Sequence, residues 1–293
     1  MKGIIIKGIG GFYYVKTEEN EVFSCRARGK FRKSGETPMV GDSVIIEVTD
    51  KQKQEGYVTE ILPRSNSFVR PPVANIDMLL VTFSAKSPDP APELIDRLTV
   101  AALYRGVRCA ICINKADLDP EGAERIAGEY RLAGFETVVC SAKTGEGTDE
   151  LKNLLKDKIT ALAGSSGVGK SSLLNAMGEN FGLKTGEVSE KILRGKHTTR
   201  HTELFPLSFG GFVFDTPGFG SFEIEKMMAS DLSALFPEID KNSGECRFPG
   251  CSHITEPDCS VKEALKNGKI GENRYKSYCL LYEDLKNVKD WQL

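Results

Sequence analysis

The segment Gly164-Ser165-Ser166-Gly167-Val168-Gly169-Lys170-Ser171 constrains this chain more than any other. Its glycines suit neither a helix nor a strand, yet the apolar run Ile159 to Ala163 precedes it and a helical pattern starts at Lys170. Strand, glycine-rich turn and helix in that order make a phosphate-binding loop. The glycines let backbone N–H groups wrap phosphate oxygens, and the helix N-terminus adds the positive end of its dipole. On this reading Gly164 to Ser172 form the cradle, Lys170 neutralises the β- and γ-phosphates, and Ser171 Oγ ligates Mg²⁺. A Gly/Ser-rich turn with a chance lysine would leave the flanking strand and helix unexplained.

The base is selected elsewhere in the chain. Asn114-Lys115-Ala116-Asp117 closes the strand-like run Val107 to Ile113, at the carboxyl edge where open sheets bind ligands. A carboxylate there accepts two hydrogen bonds from guanine N1 and N2, a pair that adenine does not offer, so Asp117 selects GTP. Asn114 would tie to the phosphate loop and contact the base, with the Lys115 stem packed over the ring. Ser141-Ala142-Lys143 follows the next strand, Val138 to Cys140, where a backbone N–H can meet guanine O6.

Asp215-Thr216-Pro217-Gly218 follows the strand Phe212 to Phe214 and offers a carboxylate to hold Mg²⁺ through water and the Gly218 N–H for the γ-phosphate. Gly195-Lys196-His197-Thr198-Thr199-Arg200-His201 supplies a threonine for Mg²⁺, Thr198 or Thr199, of which Thr199 is favoured. His197 is either a solvated loop histidine or a catalytic group that positions water. The residue after Gly218 is Phe219, whose ring cannot orient an attacking water as a glutamine can. Unaided hydrolysis is therefore expected to be slow, with a partner supplying a contribution that elsewhere is worth roughly 10³ to 10⁵.

The order of these motifs is diagnostic. The guanine-binding pieces at Asn114 and Ser141 precede the phosphate loop at Gly164, so the usual ends of such a domain are joined and new ends opened. The permuted domain leaves the chain just after Asp215 to Gly218, and movement there would pull on whatever follows.

Short alternating segments from Met1 to about Leu62, among them Gly11 to Val15, Val22 to Ala27 and Ser43 to Val48, predict a small antiparallel barrel of the OB type. Five basic residues (Arg26, Arg28, Lys30, Arg32, Lys33) surround Phe31, and those near Arg28 and Lys30 could contact phosphates. From Ile76 to Phe83 onward strands and helices alternate, predicting a largely parallel sheet. Past Phe222 short helices are expected over Asp231 to Phe236, Val261 to Lys266 and Arg274 to Val288. The expected fold class is α/β. Residues 1–64 are expected to form an OB-fold RNA-binding domain, 65–225 a circularly permuted P-loop GTPase domain, and 226–293 a helical zinc-binding domain.

That last region holds Cys246, Cys251, His253 and Cys259, three thiolates and an imidazole that match a closed structural zinc site. Cys109 and Cys112 lie in a strand, where residues three apart face opposite ways, so they are not a metal pair. Cys25 and Cys140 read as small buried hydrophobes, and Cys279 as packing beside Tyr275, Tyr278 and Tyr282. A formal net charge of −2 leaves room only for regional RNA contact. No run approaches the ~20 apolar residues of a spanning helix. The N-terminus lacks a sustained apolar run before a cleavage site, so a cytoplasmic protein without membrane contact is expected, and a monomer.

Together these motifs resemble those of one bacterial family, the ribosome small subunit-dependent GTPase A (RsgA) proteins, over nearly the whole chain. The resemblance implies action in late maturation of the small (30S) ribosomal subunit, hydrolysis of GTP stimulated by that subunit, and contact of the barrel and zinc domain with rRNA. Arg200 departs from the family's loop, which often continues with a further threonine. A small-molecule kinase would not need Asn114 to Asp117, and an RNA adaptor with a vestigial nucleotide domain would have lost more of the motifs.

Overall fold

In the computed structural model the described residues are 1–29, 31, 35–69, 72–179, 202–215 and 227–286. Period-two alternation of buried and exposed residues builds the N-terminal strands β1 (Lys2–Ile9), β2 (Phe12–Thr17), β3 (Val22–Ala27), β4 (Ser43–Asp50) and β5 (Glu55–Ile61). They run in the order β1-β2-β3-β5-β4, and β4 pairs back onto β1, closing a five-stranded OB-like barrel. Ile5, Val15, Phe23, Val44, Ile46 and Val58 fill it. The sequence pattern had marked three of these strands; β1 and β5 complete the closure. Gly41 turns the chain into β4 at φ +93°, where a Cβ would lie 2.1 Å from Ala74 O. The adjacent Asp42 is fully buried and takes Arg64 Nε at 2.7 Å and Nη2 at 2.8 Å. Phe31 is buried rather than displayed among the basic residues around it, of which Lys30, Arg32 and Lys33 lie outside the described residues.

A hairpin of β6 (Ser67–Val69) and β7 (Pro72–Ala74) leads to β8 (Met78–Ser84), in which every residue is buried. There follow α1 (Pro92–Tyr104), β9 (Arg108–Asn114), α2 (Pro120–Leu132), β10 (Glu136–Val139), α3 (Thr148–Leu155), β11 (Ile159–Ala163) and α4 (Lys170–Ala176). The strands β12 (Glu203–Pro206) and β13 (Phe212–Asp215) precede the C-terminal helices α5 (Pro237–Asp240), α6 (Ser260–Lys266) and α7 (Glu272–Leu285). Instead of a helix over Asp231 to Phe236, the chain makes two 3₁₀ turns, Ala229–Asp231 and Ser233–Leu235. The chain forms two compact units: Met1–Leu79 with Lys152–Leu162 and Glu179–Phe219, and Leu80–Leu151 with Ala163–Gly178 and Gly220–Leu293.

In the first unit β11 and β13 are parallel, as βαβ alternation predicts, whereas β12 runs antiparallel to β13. In the second, β9 and β10 are parallel, with Cys112 opposite Val138. The C-terminal helices share one core in which Phe236, Ile239, Val261, Tyr278 and Leu281 are at most 1% exposed.

One charged residue sits inside that unit. Arg274 on α7 is 1% exposed and donates to Asp96 on α1 at 2.6 Å and to both oxygens of Glu238 on α5 at 2.7 and 3.2 Å. Its guanidinium also lies 4.5 Å from the Phe236 ring centroid, and the Tyr130 hydroxyl donates to Asp96 at 2.9 Å. Burial acts to push the guanidinium down, and the charges of Asp96 and Glu238 outweigh it and hold Arg274 above its ordinary range. Replacing Arg274 with Met strands two buried carboxylates and should cost about 3–5 kcal/mol. A lowered urea midpoint would report it, and the added changes Asp96→Leu and Glu238→Met should recover most of the loss.

Candidate nucleotide site and Cys/His cluster

The guanine motif and the phosphate loop meet through a side-chain amide. Asn114, the last residue of β9 and 1% exposed, donates from Nδ2 to Val168 O at 2.8 Å and accepts the Ala142 N–H on Oδ1 at 3.0 Å. A single residue therefore fixes the spacing of three loops. Gly169 makes this approach possible: a Cβ there would lie 2.3 Å from Asn114 Nδ2, and its φ of +95° is left-handed. Gly164 has the same role against β8, where a Cβ would fall 1.9 Å from Thr82 O.

Asp117 follows Lys115, whose φ of +60° turns the chain sharply into a short 3₁₀ turn, Ala116–Leu118. Ser141 Oγ donates to Asp117 Oδ1 at 2.6 Å, and Lys143 Nζ lies 3.9 Å from Oδ2. The serine thus orients the carboxylate, a role the sequence did not reveal because the two residues belong to different loops. Another contributor missed in the sequence is the loop after β8. The Lys115 ammonium donates to Ser87 O, and Pro88 Cδ lies 4.0 Å from where a Gly167 Cβ would stand. Its signal was present as Pro88-Asp89-Pro90-Ala91-Pro92, a stiff run at the carboxyl edge of a buried strand.

In the phosphate loop Ser165, Ser166 and Gly167 are exposed and Val168 is buried. Lys170 reaches back across the loop, donating to Gly164 O at 2.7 Å and Ser165 O at 2.9 Å, and burial pushes its ammonium down. Ser171 and Ser172 lie half-buried on the first turn of α4. Asp215 ends β13; its side chain lies outside the described residues, as do Thr216, Pro217, Gly218 and Phe219. So do His197, Thr198, Thr199 and Arg200.

Cys246, Cys251, His253 and Cys259 converge, their ligand atoms all within 4.8 Å of one another. Cys246 Sγ lies 3.8 Å from Cys259 Sγ, and each of these sulfurs is 3.5 Å from His253 Nδ1. Bonds of about 2.3 Å to sulfur and 2.0–2.1 Å to nitrogen place tetrahedral ligands about 3.8 and 3.5 Å apart, so the donor set fits a zinc ion. The loop is held from α7: Tyr275 and Tyr278 donate to His253 O at 2.7 Å and Ser252 O at 2.9 Å. Cys279 packs on the same core. Cys109 and Cys112 part company, Cys109 facing Thr99 O at 3.9 Å while Cys112 Sγ lies 3.4 Å from Cys140 Sγ.

An OB-like barrel, guanine motifs ahead of the phosphate loop, and a C-terminal Cys/His cluster define a circularly permuted GTPase. The chain belongs to the RsgA GTPase family: the family's GTPase model matches residues 61–225 and its N-terminal domain model residues 2–58. It is 48% identical to the small ribosomal subunit biogenesis GTPase RsgA of Agathobacter rectalis, over 98% of this chain and 99% of that one. The Bacillus cereus protein of the same name is 44% identical, over 98% of each chain. Among solved structures, YjeQ from Thermotoga maritima superposes with a TM-score of 0.83 at 37% identity, covering 98% of this chain and 99% of its own. YloQ, described as a circularly permuted GTPase, gives 0.80 at 37% identity, covering 98% and 96%. Among the described residues no helix is long and apolar enough to cross a membrane.

Changing Asn114 to Ala removes two hydrogen bonds of about 0.5–1.5 kcal/mol each. Affinity for a fluorescent GDP analogue should fall roughly 10- to 100-fold, by fluorescence titration, and the thermal midpoint should fall as well, because both bonds are internal to the folded protein.

Proposed function

We propose that this chain hydrolyses GTP in the late maturation of the small ribosomal subunit. The observation that carries the reading is the joining of Val168 and Ala142 through Asn114, in a chain matched over 98–99% of its length by relatives named small ribosomal subunit biogenesis GTPases. Asp117 accepts from guanine N1 and N2, the Lys115 stem covers the ring, and a backbone N–H of the Ser141-Ala142-Lys143 loop meets O6. Gly164 to Ser172 wrap the phosphates, and Lys170, already aimed across the loop, neutralises them. Ser171 and Thr199 hold Mg²⁺, which supplies further neutralisation of charge. Asp215 and Gly218 sense the γ-phosphate, and His197 is the side chain in this chain's switch loop that would help position water once the small subunit is bound.

Phe219 cannot orient that water, so the small subunit supplies or completes the catalytic group. Residues 1–64 serve as the RNA-binding domain, 65–225 as the nucleotide domain and 226–293 as the zinc domain, with the first and last contacting rRNA. Because the permuted domain exits at the γ-phosphate sensor, the nucleotide state is transmitted directly to the zinc domain. A protein acting on small ribosomal subunits would work in the cytoplasm.

Purified small subunits should raise GTP turnover strongly, on the scale of about 10³ to 10⁵ that a supplied catalytic group brings, while large subunits and ATP give none. No stimulation by either subunit would remove the ribosomal assignment and keep only a GTPase. Elemental analysis should find one zinc per chain. Its removal by a strong chelator should abolish the near-ultraviolet dichroism of Tyr275 and Tyr278, whose hydroxyls bond the metal loop.

A further inference from the structure

The outer face of the barrel carries a row of side chains that its closure does not require. Ile9 on β1 stands opposite Phe12 on β2, Phe12 opposite Arg26 on β3, and Arg26 opposite Tyr57 on β5. Register partners share one face of a sheet, and here it is the solvent face. Ile9 is 37% exposed, Phe12 36% and Tyr57 41%, while Cys25 beside Arg26 and Val58 beside Tyr57 are fully buried. At about 4.8 Å between strands the row spans about 14 Å.

Three features give this row a chemistry. The Arg26 guanidinium lies 4.6 Å from the Phe12 ring centroid, a preformed cation–aromatic pair. Glu47, the register partner of Tyr57, is paired with Arg28, and Glu55, two residues before Tyr57 on the same face of β5, marks the acidic margin of the row. The sequence beyond Arg26 carries Arg28, Lys30, Arg32 and Lys33 before any acidic residue. Exposed rings alternating with a guanidinium offer π-faces to any base and cations to the backbone, and a duplex hides the base faces such rings need.

We propose that Ile9, Phe12, Arg26 and Tyr57 form a stacking platform for unpaired bases of a single-stranded RNA segment. The proposal rests on the reading of the barrel as RNA-facing and adds to it the residues and the unpaired state of the RNA. The test is fluorescence anisotropy of the full-length, GDP-loaded protein with a labelled oligoadenylate of about 12 nucleotides, within the site size of an OB fold. The same strand is compared in a duplex with oligouridylate.

The single strand should bind more tightly than the duplex. Phe12→Ala and Tyr57→Ala should each weaken it roughly 5- to 150-fold, without changing the dependence on salt. Phe12→Tyr should keep near-normal affinity, which separates loss of the ring face from loss of fold. Arg26→Gln should lower the salt slope by about one. GTP turnover without subunits should be unchanged in all four variants. Equal binding of strand and duplex, or normal affinity in both alanine variants, overturns the proposal. Normal oligonucleotide binding with lost subunit stimulation in those variants assigns the row to a protein contact and overturns it as well. Absence of stimulation in the unaltered protein counts against the ribosomal reading alone, because the oligonucleotide measurement still decides the platform.

Discussion

Asn114 makes the two bonds on which the nucleotide site depends. Its amide is buried, donates to the phosphate loop and accepts from the loop after β10. The three pieces follow successive strands: backbone bonds such as Ala116 N–H to Cys140 O at 3.1 Å join the two guanine loops, and the Asn114 side chain ties both to the phosphate loop. The consequences spread outward. Gly169 must lack a Cβ for the amide to arrive, Gly164 must lack one for the loop to sit against β8, and Ser141 holds the Asp117 carboxylate. A buried amide with both ends bonded is costly to break, which makes the site rigid on its guanine side.

The parts legible in the sequence are those whose chemistry is local. Glycine spacing between an apolar strand and a helix marked the phosphate loop, and Cys246, Cys251, His253 and Cys259 lie close enough in the chain for their convergence to be anticipated. The barrel was visible through alternation in β2, β3 and β4. By contrast β1 hides its period in the run Ile4-Ile5-Ile6, and β5 carries a glycine and several polar residues on its outer face. β12 is four residues long and antiparallel, too short to announce itself beside a parallel pattern. Ser141 on Asp117 and Cys112 against Cys140 are contacts between strand ends, invisible to any window along the chain.

Arg274 shows the limit most plainly. It sits in Glu272-Asn273-Arg274-Tyr275-Lys276, which reads as a solvated helical turn, yet its side chain is 1% exposed. What buries it is Asp96, 178 residues earlier, and Glu238, 36 residues earlier. Sequence periodicity cannot see a charge matched over that distance, and the match is specific enough to bring α1, α5 and α7 to one point.

That separation also orders events during synthesis. Domains fold as units, largely N-terminal part first, while the chain is still emerging. Asp96 on α1 is made long before the arginine that neutralises it, and an isolated carboxylate resists burial in an apolar interior. Until α7 emerges, then, Asp96 can take the Tyr130 hydroxyl but lacks the arginine's charge. The last helix acts as a latch, and a chain truncated before it would retain an acidic fault line through its second unit.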